Sequence, residues 1–119
     1  MKIAIPTCNK KGLKDEVAPH FGRCATYTLV NEKGNLIEII ENTSEHMGGT
    51  GLPPELLKNN KVDILLCHEL GPRAIELCKS LNIDVYVARE ETVKDIFTAW
   101  KEKKIKKANS FNACQEHTL

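Results

Sequence analysis

One stretch of the sequence decides the fold, and it reads Val62-Asp63-Ile64-Leu65-Leu66-Cys67-His68-Glu69-Leu70-Gly71-Pro72-Arg73-Ala74. An apolar run of strand length ends beside Cys67-His68, turns at Gly71-Pro72 and opens a helix on residues 73–78. Proline suits the first turn of a helix, because its missing N–H would have no partner there. This pattern is typical of the first half of a β-α-β unit, and residues 84–88 predict the second parallel strand.

Size and charge narrow the class of protein. The chain has 119 residues, the size of one domain with its own core. Its 17 basic and 16 acidic residues leave a net charge of +1, which predicts neither a nucleic-acid nor a membrane partner. No apolar segment approaches the roughly 18 residues of a membrane span, and the N-terminus lacks a signal-peptide pattern. Five cysteines without close pairing suit reduced thiols or metal binding, so we expect a cytoplasmic protein.

Four further strand predictions complete the sheet around residues 62–66: strand one at 2–7, strand two at 25–31, strand three at 36–42 and strand five at 84–88. Glycine in the turn at 32–35 makes strands two and three a hairpin. Helices are predicted at 55–60, from 73 onward, and after Thr92, where apolar residues recur three and four apart. We therefore predict an α/β fold with a five-stranded mixed sheet in the order 3-2-1-4-5, flanked by helices. It forms a single domain over residues 1–108, followed by a tail at 109–119.

That topology gathers metal-binding side chains at one edge of the sheet. Cys8 follows strand one, His20 and Cys24 precede strand two, His46 follows strand three, and Cys67 and His68 follow strand four. In open α/β sheets, ligands bind outside the carboxyl ends of the strands. Thiolate and imidazole suit zinc, copper and iron–sulfur species rather than magnesium or calcium. The pattern predicts a soft-metal centre at this edge.

Two other features predict ligand contacts at the same edge. The long loop at 43–54 holds three glycines that let the backbone approach a ligand closely: Gly48, Gly49 and Gly51. Gly71 and Arg73 open a helix, and a helix N-terminus with a guanidinium favours an anion. An anionic metal–sulfur cluster and a phosphate fit this helix start equally well.

The tail adds a third feature, because Cys114 and His117 have a C-x-x-H spacing that can chelate one metal ion. Several of these candidate ligands also have a structural role as an alternative. Cys67 is also a candidate for a small buried core residue, and Cys78 falls on the buried face of its helix. The loop histidines at 20, 46 and 68 have structural roles as their alternative.

Five motifs in this order and spacing resemble a known family: Ile3-Ala4-Ile5-Pro6-Thr7, His20-Phe21-Gly22-Arg23, Asn42 with Gly48-Gly49-Thr50-Gly51, Gly71-Pro72-Arg73-Ala74, and Ala113-Cys114-Gln115-Glu116-His117. The chain resembles the dinitrogenase iron–molybdenum cofactor biosynthesis family, which includes NifX, NafY and NifB C-terminal-like domains. The resemblance implies a ribonuclease-H-like motif and a non-catalytic carrier of an iron–sulfur or iron–molybdenum–sulfur cluster. It also implies cluster-assembly or acceptor proteins as partners. Cys67-His68-Glu69 departs from the family pattern, which often has small residues there.

Two other functions remain open on sequence alone. A zinc or thiol-redox protein would also use cysteines beside histidines, although the C-x-x-C motif of redox proteins is absent. A metal-dependent nuclease would need clustered carboxylates that hold two metal ions. Strand one carries no acid, and Asp63 and Glu69 flank strand four with no evident acidic partner.

Overall fold

The structure is a computed structural model that describes residues 1–44, 48–49 and 51–108. Its five strands are β1 (Ile3–Thr7), β2 (Thr26–Val30), β3 (Leu36–Glu41), β4 (Ile64–Cys67) and β5 (Asp84–Val87). Its three α-helices are α1 (Pro53–Asn59), α2 (Pro72–Ser80) and α3 (Val93–Lys101), and a single 3-10 turn covers Gly12–Lys14. Among the described residues, no helix is both long enough and apolar enough to cross a membrane.

The strands form one mixed sheet in the order β3-β2-β1-β4-β5, which confirms the predicted order. β2 is antiparallel to both β1 and β3, whereas β1, β4 and β5 are parallel. Thr7 pairs with Thr26 and Thr26 with Glu41, while Cys67 pairs with Val87. The ends of β1, β3, β4 and β5 and the start of β2 therefore lie at one edge of the sheet, which we call the site edge.

Alternating side chains bury both faces of the sheet. One face includes Tyr27, Leu65 and Cys67, which belong to a core cluster with residues of α1 and α2. The other face includes Ile5 and Leu66, which cluster with residues of α3. β1 and β4 are buried on both faces, which explains why their sequences are continuous apolar runs.

Most predicted boundaries differ from the observed ones by one or two residues, and two of these differences affect the site. β4 extends through Cys67 rather than ending at Leu66, because Cys67 lies on the same buried face as Leu65. α1 begins at Pro53 rather than Glu55, with the Leu52 amide donating to Oε1 of Glu55 at 2.9 Å. Proline is compatible with this first turn because it needs no hydrogen-bond partner for its nitrogen.

Both the predicted hairpin and the predicted start of α3 are confirmed. Gly34 has φ +84°, and a Cβ built there would lie 2.8 Å from the Phe97 ring, so the turn needs glycine. Oγ1 of Thr92 accepts a hydrogen bond from the Asp95 amide at 3.1 Å, as an N-cap residue does. After α3 the chain returns to the sheet, where the Ala108 amide donates to the carbonyl of Val85 at 2.6 Å.

Candidate functional site

A cleft of about 500 Å³ opens at the site edge, between three segments of the chain. Its walls come from residues 21–22 of the loop before β2, residues 52–54 at the start of α1, and five residues around the start of α2: Leu70, Gly71, Arg73, Ala74 and Leu77. A larger cavity of about 600 Å³ lies at the other end of α2 and β5, where Lys79, Asp84 and Lys107 line it. The cleft, not the larger cavity, contains Gly71 and Arg73, which the sequence predicts as ligand-binding residues.

The start of α2 gives the cleft a positive wall. Gly71 is the N-cap residue and has no side chain to accept a hydrogen bond from the first turn. Because Pro72 lacks an N–H, the amides of Arg73 and Ala74 are first-turn donors without intrahelical partners. A Cβ built on Gly71 would meet nothing within 4 Å, so the space beside the N-cap position is open. The exposed Arg73 side chain adds a full positive charge to the helix dipole.

His20 is held beside this cleft by an acidic residue. Its Nδ1 lies 3.2 Å from Oε1 of Glu69, whose Oε2 lies 3.4 Å from Nη2 of Arg89. The three residues come from the loop before β2, the loop after β4 and the loop after β5. The sequence predicted that His20 reaches the site edge, but it did not predict the pairing with Glu69. The position of Glu69, two residues before Gly71, was the sequence feature that could have indicated this pairing.

His68 has a different environment from His20. It is half-buried, and its Nε2 forms a short hydrogen bond with the carbonyl oxygen of Glu90. His68 therefore contacts the segment that follows β5, and it is not among the residues that line the cleft. Its ring retains Nδ1 as a second polar atom.

A buried asparagine connects two of the loops at the site edge. Nδ2 of Asn42 donates to the carbonyl oxygens of Gly22 and Cys24 at 2.8 and 2.9 Å. Its Oδ1 accepts from the amide and the hydroxyl of Ser44 at 3.1 and 2.6 Å. Since Gly22 lines the cleft, Asn42 fixes one of its walls relative to the loop after β3. The sequence placed Asn42 in a motif but gave it no role.

The glycines in the loop after β3 have different constraints. A Cβ built on Gly49 would lie 1.9 Å from the carbonyl oxygen of Thr43, so only glycine fits this close approach. Gly48 and Gly51 have φ +82° and +80°, a conformation that favours glycine. These glycines therefore shape the loop, and their contact with a ligand remains a prediction. His46, also predicted as a ligand, lies outside the described residues.

An acidic residue that no sequence pattern indicated orders the loop after β1. The fully buried Asp15 accepts hydrogen bonds from the amides of Asn9, Lys11 and Glu16 at distances between 2.8 and 3.3 Å. These bonds use the carboxylate to satisfy backbone donors, so Asp15 is a structural acid at the site edge.

Three of the cysteines lie in the core. Cys24, Cys67 and Cys78 are at most 3% exposed, and all three belong to the cluster that includes Phe21 and Leu70 of the cleft. Burial raises the pKa of Cys24, and it raises the pKa of Cys78 to about 12. The prediction that Cys78 is a core residue is confirmed. Cys67 lies in the core behind the cleft and not on its surface.

We predict that the native protein has one fast-reacting thiol among its described cysteines. Cys8 is exposed, but partial burial of its thiol and the nearby Glu16 and Asp15 raise its pKa. Its rate of alkylation by iodoacetamide should therefore keep increasing as the pH rises through 9, because only the thiolate reacts. Mass spectrometry of labelled protein with a Cys114→Ser background measures this. Equal native-state labelling of Cys8 and Cys78 would contradict the prediction.

The structure brings some predicted site residues together and leaves others apart. His20, Gly71 and Arg73 lie at or beside the cleft, while Cys67 is behind it and His68 faces the segment after β5. Cys114 and His117, like His46, fall outside the part of the chain that the structure describes. Within the described part, no group of three or more His, Cys, Asp or Glu residues is arranged to hold a metal ion.

Comparison with known proteins gives one family. A family described as "Dinitrogenase iron-molybdenum cofactor" matches residues 1–103. An uncharacterised protein of Methanocaldococcus jannaschii is 36% identical over 112 residues, which cover 90% of this chain and 91% of that protein.

Two solved structures are similar over most of their length. The NMR structure of a candidate NifB protein from Thermotoga, assigned to the DUF35 family, has 29% identity and a TM-score of 0.74. The match covers 89% of this chain and 91% of that one. The apo form of the orange protein from Desulfovibrio gigas has 24% identity and a TM-score of 0.78, with 90% and 92% covered, and it supports the fold.

Proposed function

The chain belongs to the dinitrogenase iron–molybdenum cofactor family, and from that premise and the cleft we propose that it carries an iron–sulfur or iron–molybdenum–sulfur cluster. The cluster is cargo: the protein receives it from a cluster-assembly protein and passes it to an acceptor protein in the cytoplasm. No catalytic step is part of this role. The ribonuclease-H-like motif implied by the family resemblance belongs to the same proposal.

The observation that carries the proposal is the positive, open wall of the cleft beside a histidine. Metal–sulfur clusters with a net negative charge are favoured by the first-turn amides of α2 and by the Arg73 guanidinium. His20 supplies an imidazole nitrogen, a ligand that suits iron and other soft or intermediate metals. The apolar remainder of the wall, from Phe21, Leu52 and Leu70, shields the cluster from water.

The small number of ligands suits a carrier. His20 is the described imidazole that lies beside the cleft, and the described residues provide no cage of three or more ligands. Charge and hydrogen bonds to the sulfides therefore supplement the bond from His20, and an acceptor protein with several thiolate ligands can outcompete this set. His46, Cys114 and His117 are proposed as additional ligands.

Anaerobic reconstitution tests the proposal. Purified protein is supplied with ferrous iron, sulfide and molybdate, and bound metal and sulfide are measured with the visible absorbance. Wild type should become coloured, and His20→Ala should lose most of the bound metal. A colourless wild-type protein without bound iron or sulfide would contradict the proposal. Bound zinc without sulfide would favour the zinc alternative.

We predict that Arg73→Gln weakens binding of the reconstituted cluster by about tenfold. A hydrogen bond to a charged group contributes about 1.5–3 kcal/mol, and solvent screening of the exposed Arg73 places the effect at the lower end. Lys94→Gln is the matched control, because this exposed residue lies on α3 at the other face of the sheet. Retention of the cluster is measured by iron transfer to a chelator. Equal rates of iron transfer in Arg73→Gln and Lys94→Gln would show that Arg73 does not contribute to cluster binding.

The carboxylates do not favour the nuclease alternative. Oδ2 of Asp63 accepts from the Lys2 amide at 2.9 Å, at the edge of the sheet where β4 begins. Glu69 lies after the end of β4 and is paired with His20 and Arg89. The two acids that flank β4 therefore lie at opposite edges, whereas a two-metal site needs its carboxylates together.

A further inference from the structure

A shielded carboxylate holds one nitrogen of the His20 ring. The Glu69 side chain is 19% exposed, whereas the side chains of His20 and Arg89, which it contacts, are 66% and 63% exposed. Each oxygen of the carboxylate has its own partner: Oε1 lies 3.2 Å from Nδ1 of His20, and Oε2 lies 3.4 Å from Nη2 of Arg89. Glu69 is therefore the centre of a contact that joins three loops of the site edge.

The chemistry of imidazole gives this contact a consequence. A neutral imidazole has one N–H donor and one nitrogen with a lone pair, and a carboxylate accepts hydrogen bonds. With Oε1 of Glu69 only 3.2 Å from Nδ1 of His20, a neutral ring is favoured with its proton on Nδ1 and its lone pair on Nε2. The nitrogen that binds a metal is determined by the hydrogen bond of the other nitrogen, and such a partner also orients the ring.

The position of the pair in the chain places it at the cleft. Phe21 directly follows His20, Leu70 directly follows Glu69, and both of these neighbours line the cleft. Arg89, from the loop after β5, contacts the carboxylate oxygen that does not face His20, so both oxygens of the acid are held in place. The ring and the acid that orients it are thus anchored to two different walls of one cleft.

We propose that Glu69 is a positioning residue for His20: it fixes the tautomer with the proton on Nδ1, so that Nε2 faces the cargo. This inference rests on the proposed function, because that function assigns His20 as a ligand. Glu69 itself does not contact the metal. Arg89 supports the carboxylate, so its removal has a smaller effect than removal of Glu69.

The first test uses the cargo-free protein. Long-range proton–nitrogen NMR of ¹⁵N-histidine-labelled protein at pH 8 reports which ring nitrogen carries the proton, and His20→Ala identifies the signals of His20. Wild type should show the proton on Nδ1 of His20. Glu69→Ala should shift the population toward a proton on Nε2, while Glu69→Gln should retain Nδ1–H because its amide oxygen still accepts. Glu76→Ala, an exposed acid on α2 outside the cleft, should match wild type.

The second test uses protein reconstituted with iron, sulfide and molybdate. Loss of a carboxylate that orients a metal-binding histidine typically weakens metal binding by about 10–100-fold. Glu69→Ala should therefore release iron to a chelator faster by that factor, with Glu69→Gln intermediate and Glu76→Ala unchanged. Thermal unfolding of Glu69→Ala and Glu69→Gln checks that both variants retain the fold.

The outcomes separate this inference from the function on which it rests. A wild-type protein that takes up no iron or sulfide overturns the proposed function and the role of Glu69 with it. A wild-type protein that loads normally, but carries the His20 proton on Nε2, overturns the role of Glu69 alone. Equal iron retention in Glu69→Ala and wild type does the same.

Discussion

Asn42→Ala is expected to lower the free energy of unfolding by about 3 kcal/mol and the melting temperature by roughly 10 °C. The Asn42 side chain is buried, and its amide group makes four hydrogen bonds to oxygen and nitrogen atoms and a fifth to Sγ of Cys24 at 3.8 Å. Truncation leaves the carbonyl oxygens of Gly22 and Cys24 and the donors of Ser44 without these partners. Each buried group left in that way costs about 1–3 kcal/mol, which partial solvation reduces.

Asn60→Ala is the matched control for this prediction. Asn60 makes one side-chain hydrogen bond, from Nδ2 to the carbonyl of Leu56 at 2.9 Å, and it is half-buried. Its loss should lower the free energy of unfolding by about 1 kcal/mol or less. Chemical denaturation and calorimetry measure both variants. A melting temperature of Asn42→Ala within about 1–2 °C of wild type would show that the hydrogen bonds of the Asn42 side chain contribute little to stability.

The Asn42 substitution should also change the cleft. Because Asn42 connects the Gly22 wall to the loop after β3, its loss should increase hydrogen exchange of the amides between residues 20 and 24. Amides of β4, in the centre of the sheet, should change only through global stability. If hydrogen exchange of these loop amides stayed at the wild-type rate, Asn42 would contribute to stability but not to the order of the cleft wall.

Gly71→Asp is expected to change stability and cargo binding in opposite directions. Aspartate is a better N-cap residue than glycine, because its carboxylate accepts hydrogen bonds from the first-turn amides of α2 and complements the helix dipole. We expect the free energy of unfolding to rise by about 0.5 kcal/mol. The same carboxylate occupies the amides of Arg73 and Ala74 and repels an anion, so binding of the reconstituted cluster should weaken by roughly 10–100-fold.

Gly71→Ala separates the charge of the new side chain from its bulk. A Cβ at Gly71 meets nothing within 4 Å, so alanine adds volume without a clash. Alanine is a poor N-cap residue, and we expect it to lower stability by roughly 0.5–1 kcal/mol while leaving the first-turn amides available. Cluster binding should then stay within about threefold of wild type. If Gly71→Asp retained the cluster as well as Gly71→Ala, the start of α2 would not be the anion-binding wall.

Local patterns in the sequence were sufficient to predict the order of the strands in the sheet. The apolar run before Gly71-Pro72 predicted the β-α-β unit, and the Gly34 turn predicted the hairpin. Together they yielded the order β3-β2-β1-β4-β5 that the structure shows. The same logic predicted that His20, Gly71 and Arg73 lie at one edge, and they do. Their roles as ligands stay predictions.

The sequence alone determined which chain segments meet at the site edge, since strand direction and turn chemistry are encoded by neighbouring residues. Only the tertiary structure decided which side chains face the cleft there. A strand end one residue later than predicted placed Cys67 in the core, because side chains alternate between the two faces of a strand. The pairing of Glu69 with His20 and the hydrogen bonds of Asn42 join residues that are far apart in the sequence. Such contacts depend on the paths of several loops at once, and no local pattern of residue types records those paths.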